Sequence, residues 1–273
     1  MNQQTKEQSA EMDRQTKEKI AEELFQAENQ GQEVDQFTAD YPSLDAKAAY
    51  DIQSLLVRKK LADDATKFVG RKLGLTSDAK MKQMNVDAPI YGSLLANMEC
   101  RSYEPISLAP FIHPKIEPEI AFIFNKDVRG PHVTVPQVLE ATAYITPALE
   151  IIDSRYRDFT FTFADVIADN ASSSRYVIGS QYYEPQAFDL SLMGMVFKKN
   201  GEIVSTGTGA AVMGHPARAI AWMANKLAAS GESIQAGEIV LSGALGEAIA
   251  IHENDVISLS FDGIGSIEAT FTK

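Results

Sequence analysis

The chain has 273 residues, of which 45% are hydrophobic, and its formal net charge at pH 7 is −12. This length and apolar content are sufficient for one large core with a small helical unit beside it. The acidic balance argues against binding to nucleic acids or anionic membranes, which need a basic protein surface, and the single cysteine, Cys100, excludes an intrachain disulfide.

The N-terminal stretch shows no targeting segment. Residues 1–11 are rich in Gln, Glu, Ser and Lys, which predicts a disordered tail. Residues 1–19 lack the apolar segment of a signal peptide, and no apolar run in the chain approaches the roughly 20 residues of a membrane span. Together with the single cysteine, these features lead us to expect a cytoplasmic protein.

Two amphipathic helices are predicted in the first quarter of the chain. One covers residues 12–29, and the other covers residues 44–61 with Ser43 as its expected N-cap. In both, apolar residues recur at helical spacing. We therefore expect an N-terminal tail and helical part over residues 1–65, followed by a catalytic mixed β domain over residues 66–273.

The second part of the chain is rich in predicted strands. Short helices are expected at 78–84, 135–145 and 216–229. Asn200-Gly201 between two apolar runs predicts a type I′ hairpin, because both residues accept positive φ. The fold class is therefore α+β. The expected strands cover residues 119–125, 148–153, 175–179, 194–199, 202–206, 238–242, 256–261 and 266–272.

Three glutamates in apolar strands carry the strongest chemical signal. Glu117 and Glu119 are two residues apart in the run Ile116–Phe124, so their side chains point to the same face of a strand. Glu150 has a similar apolar setting before Ile151. Like charges at a core edge repel unless a cation or a shared proton offsets them. The three carboxylates therefore indicate a site for a hard divalent cation, Mg²⁺ or Mn²⁺, although one strand glutamate alone is usually an exposed charge.

Other polar residues are candidates for substrate contact or proton transfer. If the expected strand Phe68–Leu73 is buried, Lys72 needs a charged partner and is a candidate proton donor or a group that holds a substrate carboxylate; the alternative is an exposed lysine in a turn. Arg155 lies shortly after Glu150 in the sequence. The polar loop before Tyr176 contributes hydrogen-bond donors and a guanidinium that can hold a carboxylate as a fork. Its candidate residues are Asn170, Ser172 and Arg175.

Several common enzyme classes lack their motifs here. No cluster of His and Cys has the spacing of a zinc hydrolase. No Gly-x-Ser-x-Gly elbow, phosphate-binding loop or dinucleotide fingerprint in its strand–turn–helix context is present. The acidic residues therefore remain the main indication of catalysis.

The chain resembles the fumarylacetoacetate hydrolase superfamily, in the branch of hydratases and decarboxylases from meta-cleavage pathways of aromatic breakdown. The similarity runs from about residue 14 to the C-terminus. It rests on the segments Gly70-Arg71-Lys72-Leu73-Gly74-Leu75-Thr76-Ser77, Pro114-Lys115-Ile116-Glu117-Pro118-Glu119-Ile120, Pro147-Ala148-Leu149-Glu150-Ile151-Ile152-Asp153-Ser154-Arg155, Ala168-Asp169-Asn170-Ala171-Ser172, Gly214-His215-Pro216 and Gly263-Ile264-Gly265-Ser266.

This resemblance implies a rolled mixed β-sheet domain with an N-terminal helical part. It also implies Mg²⁺ or Mn²⁺ bound by three acidic residues, which correspond to Glu117, Glu119 and Glu150, and an active-site lysine that corresponds to Lys72. The implied partners are a small 2-oxo acid substrate, further copies of the chain in a homo-oligomer, and a complex with the hydratase of the same pathway.

Two activities of the branch are open. One is decarboxylation of 4-oxalocrotonate (2-oxo-3-hexenedioate) to 2-hydroxypenta-2,4-dienoate; the other is hydration of that dienoate to 4-hydroxy-2-oxopentanoate. The hydratases typically carry Pro-Asp-Phe-Gly where this chain has Pro89-Ile90-Tyr91-Gly92, so an acid/base candidate is missing. Segments near Lys72 and Leu241–Gly246 resemble the hydratases instead. We favour decarboxylation, with hydration as the alternative and a non-catalytic, metal-dependent scaffold as a second alternative.

Overall fold

The computed structural model of the chain describes residues 11–62 and 66–273. Apart from its last residue, the predicted disordered tail lies outside these residues. Among the described residues, no helix combines the length and apolar content that a transmembrane helix needs. The helices are α1 (Arg14–Gln30), α2 (Phe37–Asp40), α3 (Ala46–Leu61), α4 (Asp78–Gln83), α5 (Val135–Ala141), α6 (Phe163–Ala168) and α7 (Pro216–Ala228).

The strands form two sheets. They are β1 (Phe68–Gly74), β2 (Ile90–Leu95), β3 (Glu99–Cys100), β4 (Ile106–Ser107), β5 (Lys115–Phe124), β6 (Thr142–Ile152), β7 (Ser173–Ile178), β8 (Gly194–Lys199), β9 (Glu202–Thr208), β10 (Ile239–Leu241), β11 (Ile249–Ala250), β12 (Val256–Phe261) and β13 (Gly265–Thr272). The larger sheet has the order β2-β1-β10-β5-β6-β7-β3, with β11 paired to β5, and the smaller has the order β4-β13-β12-β8-β9.

Both sheets are mixed, in agreement with the mixed β-sheet domain that the family resemblance implies, and in the smaller sheet β13 pairs with β4 in parallel. In the larger sheet β1 pairs with β10 and β3 with β7 in parallel, whereas β5 and β6 are antiparallel. The main core lies between the two sheets and against α5 and α7, with Phe122 and Phe197 fully buried in it. A second core is formed by α1 and α3 packing on α6, where Ile52 and Ile167 are fully buried.

The structure confirms the N-terminal helices and the hairpin and corrects several boundaries. Asn200 and Gly201 have φ values of 53° and 85°, as a type I′ turn requires. The N-cap of α3 is Asp45, whose side chain accepts a hydrogen bond from Ala48 N, so the prediction of Ser43 is wrong. The predicted helix 135–145 is too long, because β6 already begins at Thr142.

Candidate metal centre

The register of two antiparallel strands brings the three glutamates together. On β5, Glu117 and Glu119 lie on one face because side chains alternate along a strand. Glu117 lies directly opposite Glu150 of β6, and Glu119 lies opposite Ala148. One carboxylate oxygen from each of the three glutamates lies within 4.8 Å of the other two, and all three residues are buried. We call these residues the glutamate trio.

Two lysines offset part of the negative charge of the glutamate trio. Lys80 of α4 places its Nζ 2.6 Å from Glu117 Oε1. Lys72 of β1 places its Nζ 3.0 Å from Glu150 Oε2, an ion-pair distance without hydrogen-bond geometry. Glu119 instead accepts a hydrogen bond from Gly243 N at 2.7 Å. Three carboxylates therefore face two ammonium groups, which leaves an excess of one negative charge if all are ionised.

Burial and this charge arrangement shift the pKa values of the trio in different directions. Burial, together with the charge of Glu150, raises the pKa of Glu119 well above its ordinary value. Burial also raises the pKa of Glu150 in spite of the adjacent Lys72. Burial acts in the same sense on Glu117, but Lys80 and Lys72 outweigh it and hold the pKa of Glu117 below its ordinary value. An added cation would favour the ionised form of all three.

Unsatisfied oxygens in the trio fit a bound cation. Glu119 Oε1 and both carboxylate oxygens of Glu150 are buried and have no hydrogen-bond donor among the residues that the structure describes. Buried carboxylate oxygens without donors are costly unless a cation or proton satisfies them. An all-oxygen donor set is also the one that hard divalent cations such as Mg²⁺ and Mn²⁺ prefer. The residues of the trio therefore suit such an ion.

A cavity of about 410 Å³ opens beside the trio. Three lysines line it, Lys72, Lys80 and Lys115, together with Glu117 and an apolar wall that includes Ile90 and Phe159. The cationic lining suits an anionic ligand, and its size suits a small molecule. Sequence reasoning did not assign a role to Lys80 or Lys115. Lys115 lies two residues before Glu117 on the same strand face, and this spacing could have indicated from the sequence that Lys115 belongs to the site.

Lys72 is fixed at the inner end of this cavity. The side chain is buried, and its Nζ donates a hydrogen bond to Ala171 O at 3.2 Å besides its ion pair with Glu150. Ala171 belongs to a turn in which Asn170, Ala171 and Ser172 all have positive φ. Non-glycine residues reach this left-handed region only at a cost. The carboxamide of Asn170 holds the turn by accepting from Ser93 N and donating to Ser93 O.

Of the other predicted site residues, one lines this cavity and the others do not. Ser172 lines the cavity, and its buried Oγ has no partner among the described residues. Asn170 makes the backbone bonds just described and does not line the cavity. Arg155 is fully buried; it pairs with the Asp169 carboxylate and donates to the carbonyl oxygens of Asp153 and Asp169.

Arg175 lies on a different cavity, which Lys60 also lines, and its guanidinium packs over the Phe111 ring. Arg155, Asn170 and Arg175 therefore do not reach the cavity beside the glutamate trio, and this arrangement does not support their predicted contact with substrate.

Comparison with known proteins gives a consistent picture. Residues 69–272 match the family described as fumarylacetoacetate (FAA) hydrolase C-terminal. The chain is 42% identical over 252 residues to 4-oxalocrotonate decarboxylase of Pseudomonas sp. (strain CF600), covering 92% of this chain and 95% of that protein. It is 39% identical over 257 residues to 2-keto-4-pentenoate hydratase of Paraburkholderia xenovorans (strain LB400), covering 94% and 95%.

Solved structures agree with the sequence matches. A structure of 4-oxalocrotonate decarboxylase from Pseudomonas putida G7, complexed with magnesium and adipate, has a TM-score of 0.92 and 38% identity, covering 95% of this chain and 98% of that chain. The same enzyme has also been solved with calcium and acetate. The match confirms the predicted rolled mixed β-sheet with N-terminal helices.

Proposed function

The chain belongs to the fumarylacetoacetate hydrolase family. We propose that it is a divalent-metal-dependent lyase that decarboxylates 4-oxalocrotonate to 2-hydroxypenta-2,4-dienoate in the catabolism of aromatic compounds. The observation that carries the proposal is the buried glutamate trio with its unsatisfied oxygens at the wall of a lysine-lined cavity. Such a site suits a small 2-oxo acid on whose 2-oxo oxygen negative charge develops during the reaction.

Glu117, Glu119 and Glu150 are the residues that would hold Mg²⁺ or Mn²⁺. Bound there, the cation would act as a Lewis acid that stabilises negative charge on the 2-oxo oxygen of the substrate. The protein's own contribution is to bury the three carboxylates on two rigid strands, so that no reorganisation of these ligands is needed during the reaction.

The proposed decarboxylation moves one electron pair from the bond that breaks through the substrate to its 2-oxo oxygen, which then needs a proton. The C5–C6 bond breaks, and C6 leaves as CO₂. The electron pair forms the C4=C5 bond, the C3=C4 pair moves to C2–C3, and the 2-oxo oxygen gains a negative charge. One proton on that oxygen completes the enol product, and Lys72, a buried lysine that lines the cavity, would donate it. Ser172 Oγ is a further donor that can orient the substrate.

One cavity residue favours decarboxylation over hydration. Ile90 lines the cavity at the position where the hydratases carry an aspartate, and its apolar side chain cannot activate water. The hydratase reading keeps support from the similarity to 2-keto-4-pentenoate hydratase. We further propose that the protein forms a homo-oligomer and a complex with the hydratase that consumes its product; a non-catalytic scaffold in such a complex is the second alternative.

A paired substrate assay tests the proposal. The protein is incubated separately with 4-oxalocrotonate and with 2-hydroxypenta-2,4-dienoate, each with Mg²⁺ and with a chelator. We expect CO₂ release from the first substrate that depends on Mg²⁺. Consumption of the dienoate alone would support the hydratase instead. No change in either substrate, with Mg²⁺ or with the chelator, would leave only the scaffold alternative.

A further inference from the structure

Lys115 is the lysine of the cavity wall that lacks a carboxylate partner. Lys72 and Lys80 each lie close to a member of the glutamate trio. Among the described residues, Lys115 has no carboxylate within ion-pair distance, and its Nζ lies 3.9 Å from the centroid of the Phe159 ring. A cation over an aromatic face is stabilised by the negative potential of the ring face. This contact leaves the three N–H groups of the ammonium available to a ligand.

The position of Lys115 relates it directly to the trio. It begins β5 two residues before Glu117, so it lies on the same strand face as Glu117 and Glu119. Both Lys115 and Glu117 line the same cavity. The cavity therefore has a carboxylate cluster towards its inner end and a free ammonium group towards the start of the strand.

We propose that Lys115 binds the second carboxylate of a six-carbon dicarboxylate and makes the site selective for dicarboxylates over monocarboxylates. The identity of the reaction rests on the proposed function, but the selectivity in binding does not. A ligand that lacks the second carboxylate forms no ion pair with this ammonium group, which then stays over the Phe159 ring, so such a ligand gains nothing from Lys115.

The dimensions agree with this assignment. Two residues along a strand place the Cα atoms of Lys115 and Glu117 roughly 7 Å apart. The terminal carbons of an extended six-carbon chain are roughly 6 Å apart, since five C–C bonds of about 1.5 Å separate them. A dicarboxylate of this length can therefore place one end near the trio and the other within reach of the flexible lysine.

The Phe159 ring gives the ammonium group a second partner in the reaction. When the distal carboxylate leaves as CO₂, its negative charge moves into the substrate and Lys115 loses its ligand. The ring can then take up the ammonium again, as it does in this structure. His113 packs on the same ring with a centroid distance of 5.2 Å, and Asp158 N donates to Glu33 Oε1 at 3.0 Å, so the loop that carries Phe159 is held in place.

Lysine also suits this step better than arginine. A bidentate arginine would bind the carboxylate of the ground state strongly, and binding that is lost in the transition state slows a reaction. A single ammonium with an alternative partner provides recognition with less of this cost.

Ligand binding without turnover tests the proposal. The affinities of adipate, a saturated six-carbon dicarboxylate, and hexanoate, its monocarboxylate counterpart, are measured by calorimetry on the Mg²⁺-loaded protein. The variants are Lys115→Met, Lys115→Arg and the control Lys126→Met, whose lysine is exposed and lies just beyond the other end of β5. We expect wild type to bind adipate at least about tenfold more tightly than hexanoate. Lys115→Met should abolish this ratio, Lys115→Arg should keep most of it, and Lys126→Met should not change it.

The results separate this proposal from the proposed function. An adipate-to-hexanoate ratio near one in wild type, or an unchanged ratio in Lys115→Met, would overturn the role of Lys115 even if the protein decarboxylates 4-oxalocrotonate. A ratio that depends on Lys115 in a protein that releases no CO₂ would support the dicarboxylate site and reject the proposed reaction. Circular dichroism of each variant checks that the fold is retained.

Discussion

Glu119 has the least compensated charge of the glutamate trio. Among the described residues, its only hydrogen-bond donor is Gly243 N, and its Oε1 has none. Burial and the nearby charge of Glu150 raise its pKa. Without a cation, this side chain therefore destabilises the folded protein whenever it is ionised.

Glu119→Gln should have opposite effects on the metal-free and the metal-loaded protein. In the presence of EDTA we expect the free energy of unfolding at pH 7 to rise by about 1 kcal/mol or more, because a buried charge has been removed. Addition of Mg²⁺ at 100 times its Kd should stabilise wild type by about 2.7 kcal/mol and the variant far less, with turnover reduced by orders of magnitude. Urea unfolding with and without Mg²⁺ measures this, and equal stabilisation by Mg²⁺ would refute the role of Glu119 as a ligand.

Residue by residue, the sequence predicted the proximity of the trio but not the whole cavity wall. Side-chain alternation alone puts Glu117 and Glu119 on one face, and this arrangement is observed. Arg155 is near Glu150 in sequence, but it follows the end of β6, where the alternation of side chains no longer applies. Its side chain forms a buried ion pair with Asp169 instead. Lys80 lies on a short polar helix, whose packing direction local sequence does not specify.

At the scale of elements, the turn after β10 positions the donor to Glu119. Gly243 has φ of +102°, and a Cβ atom added there would lie 2.3 Å from Thr76 Oγ1. Only glycine meets both conditions, since other residues are strained at this φ and the Thr76 side chain occupies the space. The turn that contains Gly243 therefore packs against the connection between β1 and α4, which contains Thr76, next to the glutamate trio.

Gly243→Ala should disturb this packing and the trio together. We expect the free energy of unfolding to fall by roughly 1–3 kcal/mol and the Mg²⁺ affinity to fall as the N–H donor to Glu119 moves. The double variant Thr76→Ala/Gly243→Ala removes the clashing Oγ1 and Cγ2 atoms, so it should recover part of the stability. Thermal unfolding and metal titration measure both effects; a single variant as stable as wild type would contradict the close approach.

The N-terminus of α7 contains a titratable cap. His215 Nδ1 accepts a hydrogen bond from Ala217 N at 3.1 Å, which requires an unprotonated nitrogen. Partial burial lowers the pKa of His215 below its ordinary value of 6.5. As the pH falls below about 6.5, the unfolded chain therefore binds the proton before the folded protein does, and stability decreases until the pH is below the folded-state pKa.

His215→Asn should flatten this pH dependence. Asparagine is a good N-cap and does not titrate. The free energy of unfolding of this variant should therefore decrease less than that of wild type between about pH 7.5 and pH 5. His215→Ala is the matched control, which should lose about 1 kcal/mol through the missing cap. Urea unfolding at several pH values measures the difference. A wild type and an Asn variant with identical pH profiles would show that His215 does not contribute.

Element boundaries were predicted less well than element types. The helix expected at 135–145 stops at Ala141 because the residues from Thr142 onward pair with β5 as strand β6. Residues Ile90–Leu95 pair with β1 as strand β2, which is not among the strands expected from the sequence. In both places long-range pairing, which a local pattern does not contain, decides the boundary.

For the molecule as a whole, the N-terminal helices and the larger sheet share buried contacts. Gln53 of α3 donates hydrogen bonds to Tyr91 O of β2 and to Ile167 O of α6. The second core contains residues from both sides of the predicted boundary at residue 65, which itself stays a prediction. We therefore expect the two parts to unfold as one cooperative unit.

Leu56→Ala tests this cooperativity. Leu56 is fully buried in the second core, so we expect a loss of about 2–5 kcal/mol in the free energy of unfolding. The single tryptophan, Trp222, lies on α7 and packs against the other core, so its fluorescence reports on the distant part. The tryptophan and far-ultraviolet circular dichroism transitions should shift together. A fluorescence transition that stays in place while circular dichroism shows an earlier phase would indicate two independent units.

The pairing of β5 with β6 also governs how this protein can change in length during evolution. Adding or deleting one residue within either strand turns every later side chain to the opposite face of the sheet. An indel at Pro118 would thus separate Glu117 from Glu119 and abolish their common orientation. Residues 125–141 join the two strands, and an indel among them does not alter that alignment, although α5 within this segment packs in the main core. Descendants of this chain should therefore vary in length only in the part of the connection that precedes α5, while keeping a constant spacing inside the two strands.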